Sequence, residues 1–110
     1  MGTPYYLSPE IVQEVPYGFK TDIWSLGILL YEMCALEPPF NGKTLTRLTE
    51  RIVKGRYPNI PDHFSKNLKN LIKSMLNTNV KDRANINQIC RFPIIEKCIK
   101  SFTTEEAFEE

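Results

Sequence analysis

The sequence predicts an all-α fold built around one long apolar helix. Two segments carry apolar residues at the i, i+3 and i+4 spacing of an amphipathic helix, and residues 23–36 are apolar almost without interruption. No segment alternates apolar and polar residues as a half-buried strand does, and no internal repeat is present. With 110 residues, 42% of them hydrophobic and 25% charged, the chain suits one globular domain.

The first twenty residues predict a structured loop. Pro4, Pro9 and Pro16 interrupt regular structure here, because proline lacks a backbone donor and fixes its own φ. One short helix over residues 10–14 fits between them.

Residues 23–36 predict a helix that is apolar on all sides. Thr21 and Asp22 are placed to cap its N-terminus, and Pro38-Pro39 to end it. A membrane span needs about 20 apolar residues, whereas this run is shorter and contains Glu32. We therefore expect burial within protein, with no membrane as a partner.

Four shorter helices are expected next. The first ends at Gly55, the second begins behind Ser65, the third is capped by Asn85 and the fourth follows Pro93. Their apolar positions are Leu45, Leu48, Ile52 and Val53; Leu68, Leu71, Ile72, Met75 and Leu76; Ile86, Ile89 and Cys90; and Ile94, Ile95, Cys98, Ile99 and Phe102. A row of lysines at positions 66, 69 and 73 lies opposite the apolar side of the second helix, and we interpret it as a solvated face rather than a docking patch.

The charge and the metal-ligating residues favour no special partner. A net charge of +1 argues against nucleic acid and acidic membranes as partners. The three cysteines fit neither a C-x-x-C motif nor a secreted disulfide framework, and the single histidine, His63, predicts no metal site. No secretory leader is visible, so we expect an intracellular, cytoplasmic protein. Residues 104–110 are rich in glutamate and predict an acidic tail or linker after a domain at residues 1–103.

Five separated motifs occur in a diagnostic order. They are Gly2-Thr3-Pro4, Ser8-Pro9-Glu10, Asp22-Ile23-Trp24-Ser25-Leu26-Gly27, Pro38-Pro39-Phe40 and Asp82-Arg83. Together they resemble the C-terminal part of the catalytic domain of eukaryotic protein kinases, from the end of the activation segment onward. The sequences of residues 5–10 and 20–27 are most similar to those of the NIMA-related serine/threonine kinases. In the first of these, Ser8 takes the place of the usual Ala. The resemblance implies a partial C-lobe, the lower and mostly helical half of the kinase domain.

The resemblance also implies what the chain lacks. The Gly-rich loop, the ATP-binding Lys, the catalytic Asp and the D-F-G metal ligand of a kinase would all precede Met1. We therefore expect the isolated chain to bind no cofactor and to be inactive, whereas its intact parent would use ATP and Mg²⁺ to phosphorylate Ser or Thr of a protein substrate. The alternatives are a non-catalytic interaction module that binds through the helices at residues 44–54 and 65–77, and a truncated gene product.

The substrate side of the implied site comes from the N-terminal residues. By resemblance, the Thr3 hydroxyl supports the catalytic Asp and Lys, and the groove for the substrate residue after the phosphoacceptor is formed by Gly2, Thr3, Pro4, Tyr5 and Tyr6. Thr3 could equally be a turn residue, and the two tyrosines could be core packing.

The resemblance implies supporting roles for five further residues. Glu10 and Arg83 would form an ion pair that pins the activation segment to the lobe, unless they are unrelated surface charges. Asp22 would hold backbone N–H groups of the catalytic loop, although by itself it suits an N-cap. Trp24 and Gly27 are expected in the core under any interpretation. The chain has Ala84 where the family usually has Pro.

The central helix is expected to lack a cover on one side. In the family, helices that come earlier in the chain pack against it, so missing kinase segments or another protein would be needed here. Each exposed apolar side chain forgoes about 1.5–3 kcal/mol, and a domain has only about 5–15 kcal/mol of stability. We therefore expect the chain alone to be molten, aggregated or bound to a partner.

Overall fold

The computed structural model describes residues 5–14, 16 and 18–102. Within them the chain forms six helices and no strand, which confirms the all-α prediction. The helices are α1 Pro9–Val12, α2 Phe19–Ala35, α3 Leu45–Lys54, α4 Lys66–Met75, α5 Ile86–Cys90 and α6 Pro93–Phe102. The predicted tail at residues 104–110 lies outside the described residues.

The central helix α2 begins earlier than its apolar run suggested. Gly18 is its N-cap in extended conformation, so neither Thr21 nor Asp22 is the N-cap, although Thr21 at position N3 takes part in a capping box. The Thr21 hydroxyl accepts a hydrogen bond from the Gly18 N–H at 3.1 Å from within the first turn. The extra turn carries Phe19, whose side chain is 92% exposed, so burial could not have revealed this start. α2 ends at Ala35. Its C-cap is Leu36, which has φ 62°, and the two prolines follow, as expected.

The other helix ends follow the sequence signals. The Ser65 hydroxyl accepts from the Leu68 N–H at 3.2 Å, and the Asn85 side chain accepts from the Gln88 N–H at 2.8 Å. Gly55 ends α3 at φ 68°, a conformation that glycine adopts without strain. These three predicted caps are confirmed. α1 is shorter than expected and begins one residue earlier, at Pro9.

Packing of α2 against α4 forms the centre of the fold. A β-carbon on Gly27 would lie 2.8 Å from Met75 Cβ, so glycine is what lets the two helices approach this closely. The main core cluster consists of Trp24, Ile28, Tyr31, Phe40, Leu48, Ile52, Ile60, Ile72 and Leu76. A second cluster extends the core toward α5 and α6 and consists of Ile23, Leu71, Met75, Ala84 and Ile89.

One face of α2 is apolar and exposed. Phe19, Leu26, Leu29, Met33 and Leu36 follow one another at intervals of seven, three, four and three residues, which places them in one row along the helix. Their exposed fractions run from 45% for Leu29 to 92% for Phe19. We call these five residues the α2 row. In the part of the chain that the structure describes, no helix is long and apolar enough to cross a membrane.

Candidate functional site

A buried ion pair joins α1 to the loop between α4 and α5. Glu10 lies in α1, behind Ser8, whose hydroxyl accepts from the Ile11 N–H at 3.3 Å. Arg83 lies in the loop between α4 and α5. Arg83 Nη1 donates to Glu10 Oε2 at 2.7 Å and Nη2 donates to Oε1 at 2.9 Å. The guanidinium and the carboxylate therefore meet in a bidentate pair, which fixes their relative orientation.

Further hydrogen bonds satisfy both buried charges. Arg83 is 0% and Glu10 3% exposed. Arg83 also donates to the backbone carbonyls of Lys20 at 2.7 Å and Asn77 at 2.8 Å, and the Thr21 hydroxyl donates to Glu10 at 2.9 Å. The arginine therefore connects α1, the start of α2 and the start of the loop that follows α4. A buried charge pair is tolerated only with such supporting bonds.

The pair changes the ionisation of its carboxylate. Burial raises the pKa of Glu10, but hydrogen bonds from Arg83, from its own backbone and from Thr21, together with the Arg83 charge, outweigh burial and lower the pKa to about 2. Glu10 is therefore ionised at neutral pH, and its charge is neutralised by Arg83.

The indole of Trp24, a member of the main core cluster, contacts the ion pair. Its ring stacks on Phe40 with centroids 5.7 Å apart, and the Arg83 guanidinium lies 5.0 Å from the ring centroid. This adds a cation–π contact to the arginine's hydrogen bonds. Trp24 is fully buried, and its Nε1 has no hydrogen-bond partner among the described residues.

A second polar contact joins the N-terminal segment to the last turn of α2. The Tyr6 hydroxyl donates to Glu32 Oε2 at 2.5 Å. This hydrogen bond, with smaller effects of burial and of the Glu32 charge, raises the pKa of Tyr6. The sequence interpretation gave Glu32 no role, although its being the one charged residue within the apolar run at 23–36 was a usable signal.

The remaining predicted site residues fall into three groups. Tyr5 is half-buried against the main core cluster, whereas Tyr6 is exposed. Asp22 is exposed in the first turn of α2, and Gly27 is buried between α2 and α4. The proposed substrate residues Gly2, Thr3 and Pro4 lie outside the described residues.

Across residues 5–14 and 18–102 there is no group of three His, Cys, Asp or Glu side chains that could hold a metal ion. His63 packs on Phe64 with ring centroids 4.2 Å apart.

Comparison with known proteins identifies the family. Residues 1–95 match the protein kinase domain. The chain belongs to the protein kinase family. It is 44% identical over 110 residues to the serine/threonine-protein kinase Nek5 of Homo sapiens and 50% identical over 98 residues to the probable serine/threonine-protein kinase nek3 of Dictyostelium discoideum. It is also 40% identical over 95 residues to the G2-specific protein kinase nimA of Emericella nidulans.

These kinases are much longer than the matched region. The alignments cover 100%, 88% and 86% of this chain but only 16%, 9% and 14% of Nek5, nek3 and nimA. Similarity to NIMA-related serine/threonine kinases, as the motifs indicated, is therefore established for this part of the kinase domain.

Proposed function

We propose that the chain is the C-terminal part of the catalytic domain of a NIMA-related serine/threonine kinase and that it supplies a substrate-binding surface and structural support. The intact protein would transfer the γ-phosphoryl group of ATP to Ser or Thr of a protein, inside the cell and in the cytoplasm. The buried Glu10–Arg83 pair carries the proposal, because it fastens the segment that would touch substrate to the helical core.

In this proposal the residues of the chain position groups rather than react. Gly2, Thr3, Pro4, Tyr5 and Tyr6 form the groove for the residue after the phosphoacceptor. The Thr3 hydroxyl holds the catalytic Asp, which together with the ATP and Mg²⁺ sites comes from residues outside this chain.

The contacts of the described residues support these positioning roles. The Tyr6–Glu32 hydrogen bond would anchor the groove to α2. The contacts among Glu10, Arg83 and Trp24 hold α1 against the core. Gly27 lets α2 lie close to α4. Asp22 is exposed in the first turn of α2, and in this proposal it holds backbone N–H groups of the catalytic loop.

A phosphotransfer assay tests the proposal. The full-length protein should phosphorylate casein on Ser or Thr, and the 110-residue chain alone should not. In the full-length protein, Tyr6→Phe should raise KM for a peptide substrate because the groove loses its anchor. Lys97→Gln, at an exposed position of α6, is the control and should change nothing. Transfer by the chain alone would contradict the proposal, and an unchanged KM for Tyr6→Phe would remove that tyrosine from the substrate site.

A non-catalytic interaction module is the second candidate function. The exposed α2 row is compatible with it, since a partner protein would cover an apolar face of this length, but missing kinase segments would cover the same face in the first proposal. The same assay separates the two, because a full-length protein without transfer activity would support the interaction module.

A further inference from the structure

A cleft lies between α4 and the extended connector that follows α3. Its volume is about 720 Å³. One wall is the exposed side of α4 with Lys66, Lys69 and Lys73, and the other is the connector that begins at Gly55 and continues with Arg56. The lysine row, which by itself suggested a solvated face, thus borders a concave surface.

The cleft has a strong positive charge. Arg56, Lys66, Lys69 and Lys73 line it, and no Asp or Glu is among the described residues that line it. The nearest ion pair joins Lys69 Nζ to Asp62 at 3.6 Å, and the Asp62 side chain is fully exposed. Such a pair is weak in water, so it leaves most of the positive charge available.

The wall opposite α4 is held rigidly. The Tyr31 hydroxyl donates to the Pro58 carbonyl at 2.7 Å, and the Tyr57 ring packs edge-on against Tyr31 at 5.4 Å and against Phe40 at 5.8 Å. Gly55, at φ 68°, has no room for a side chain, since a β-carbon would meet Thr78 Cγ2 at 2.3 Å. A wall fixed in this way needs little ordering when a ligand binds.

We propose that this cleft binds an acidic peptide segment of a partner protein. The three lysines stand on one side of α4 over about 10 Å, because a helix rises about 1.5 Å per residue. An extended peptide advances about 3.3 Å per residue. The carboxylates of a four-residue acidic stretch therefore span the same distance as the three lysines. This proposal does not depend on phosphoryl transfer.

The lining favours a peptide over nucleic acid. Single-stranded nucleic acid binds to aromatic rings whose faces are free for stacking. The one aromatic ring that lines the cleft within the described part of the chain belongs to Tyr57, and it is engaged by Tyr31 and Phe40. The amides of Asn59 and Asn70 in the lining suit the backbone of a peptide.

Fluorescence anisotropy without ATP tests the proposal on the full-length protein. The probes are a fluorescein-labelled Glu-Glu-Phe-Glu-Glu peptide and its Gln-Gln-Phe-Gln-Gln counterpart. The acidic peptide should bind more tightly than the neutral one, and added salt should weaken its binding. Replacing both Lys66→Gln and Lys73→Gln should raise its Kd about threefold to tenfold, as expected for two exposed charge contacts.

The control makes the same change of charge elsewhere. Lys81→Gln with Lys97→Gln removes two exposed lysines that do not line the cleft, and it should leave the Kd nearly unchanged. Circular dichroism of both double variants checks that the helices are retained. Equal weakening by the two double variants, no binding of the acidic peptide at about 1 mM, or tighter binding of an oligothymidine would overturn the proposal.

Discussion

Arg83 reaches across 73 residues of sequence to place two guanidinium nitrogens at 2.7 and 2.9 Å from the two carboxylate oxygens of Glu10. Neither residue belongs to a long helix, so local propensity does not hold either one in place. The pair, with the bonds from Arg83 to the carbonyls of Lys20 and Asn77, fixes α1, the first turn of α2 and the loop after α4 relative to one another. The pair is therefore a buried polar link between α1 and the core, beside the apolar contacts of Leu7 and Val12 with the main core cluster.

Removing the charge of Glu10 should destabilise the fold strongly. In the Glu10→Gln variant the Arg83 guanidinium stays buried without a counter-charge, and the expected loss is about 3–5 kcal/mol of unfolding free energy. Urea denaturation of the two proteins, followed by circular dichroism at one pH and salt concentration, measures it.

An exposed ion pair supplies the control. Glu96 and Lys100 lie one turn apart on α6 at 3.3 Å, with both side chains more than half exposed. Glu96→Gln should change the free energy of unfolding by no more than about 0.5 kcal/mol. A comparable loss in both variants would show that the buried Glu10–Arg83 pair contributes no more to the free energy of unfolding than an exposed ion pair does.

The contribution of Glu10 should disappear in acid. Its pKa is about 2 in the folded chain, against an ordinary value of 4.5. A lowered folded pKa means stability that is fully present above pH 4.5 and is lost as pH falls toward 2. The difference in unfolding free energy between the natural sequence and Glu10→Gln should therefore be constant from pH 7 to about 5 and shrink below that. A difference that stays constant down to pH 2 would contradict the assigned ionisation.

Gly27 should not tolerate a side chain. In Gly27→Ala the new β-carbon would lie 2.8 Å from Met75 Cβ and 3.0 Å from Leu76 Cδ2, so α2 and α4 must separate. Overpacking costs about 1–3 kcal/mol, and the better helix propensity of alanine returns up to about 1 kcal/mol. The expected net loss of about 1–2 kcal/mol is measured by thermal or urea unfolding.

A glycine in open space is the matched control for Gly27. A β-carbon at Gly18 would meet nothing within 4 Å, and the residue is the N-cap of α2. Gly18→Ser should leave stability within about 0.5 kcal/mol or raise it slightly, because serine is a favoured N-cap. If Gly27→Ala were equally neutral, the close approach of α2 to α4 would not be a constraint on the sequence.

Local chemistry predicted the ends of most helices. Ser65, Asn85 and Gly55 act through hydrogen bonds or dihedral angles within four residues, which a sequence displays directly. The start of α2 was missed because Thr21 bonds back to the Gly18 N–H from inside the helix, and a threonine with that bond has the same sequence signal as an N-cap.

The contacts of the site depend on tertiary structure. No periodicity or cap links Glu10 to Arg83, and only the order of the motifs suggested that they belong together. The Tyr6–Glu32 bond spans 26 residues, and the contacts of Trp24 with Phe40 and with Arg83 depend on the path of two loops. The cleft was missed for the same reason, because its second wall is an extended connector whose position is set by Tyr31 and Tyr57.

The α2 row should control the solubility of the isolated chain. Leu29 and Met33 are 45% and 66% exposed, so replacing both with Ser should change the free energy of unfolding little, by about 0.5 kcal/mol or less at each site. The apolar face would shrink, and both the fluorescence of a dye that binds exposed apolar surface and the aggregated fraction in gel filtration should fall. Leu45→Ser, at an exposed position of α3 outside the row, is the control and should leave both unchanged. If the control lowered dye binding as much as the double substitution, general surface hydrophobicity rather than the face of α2 would be responsible.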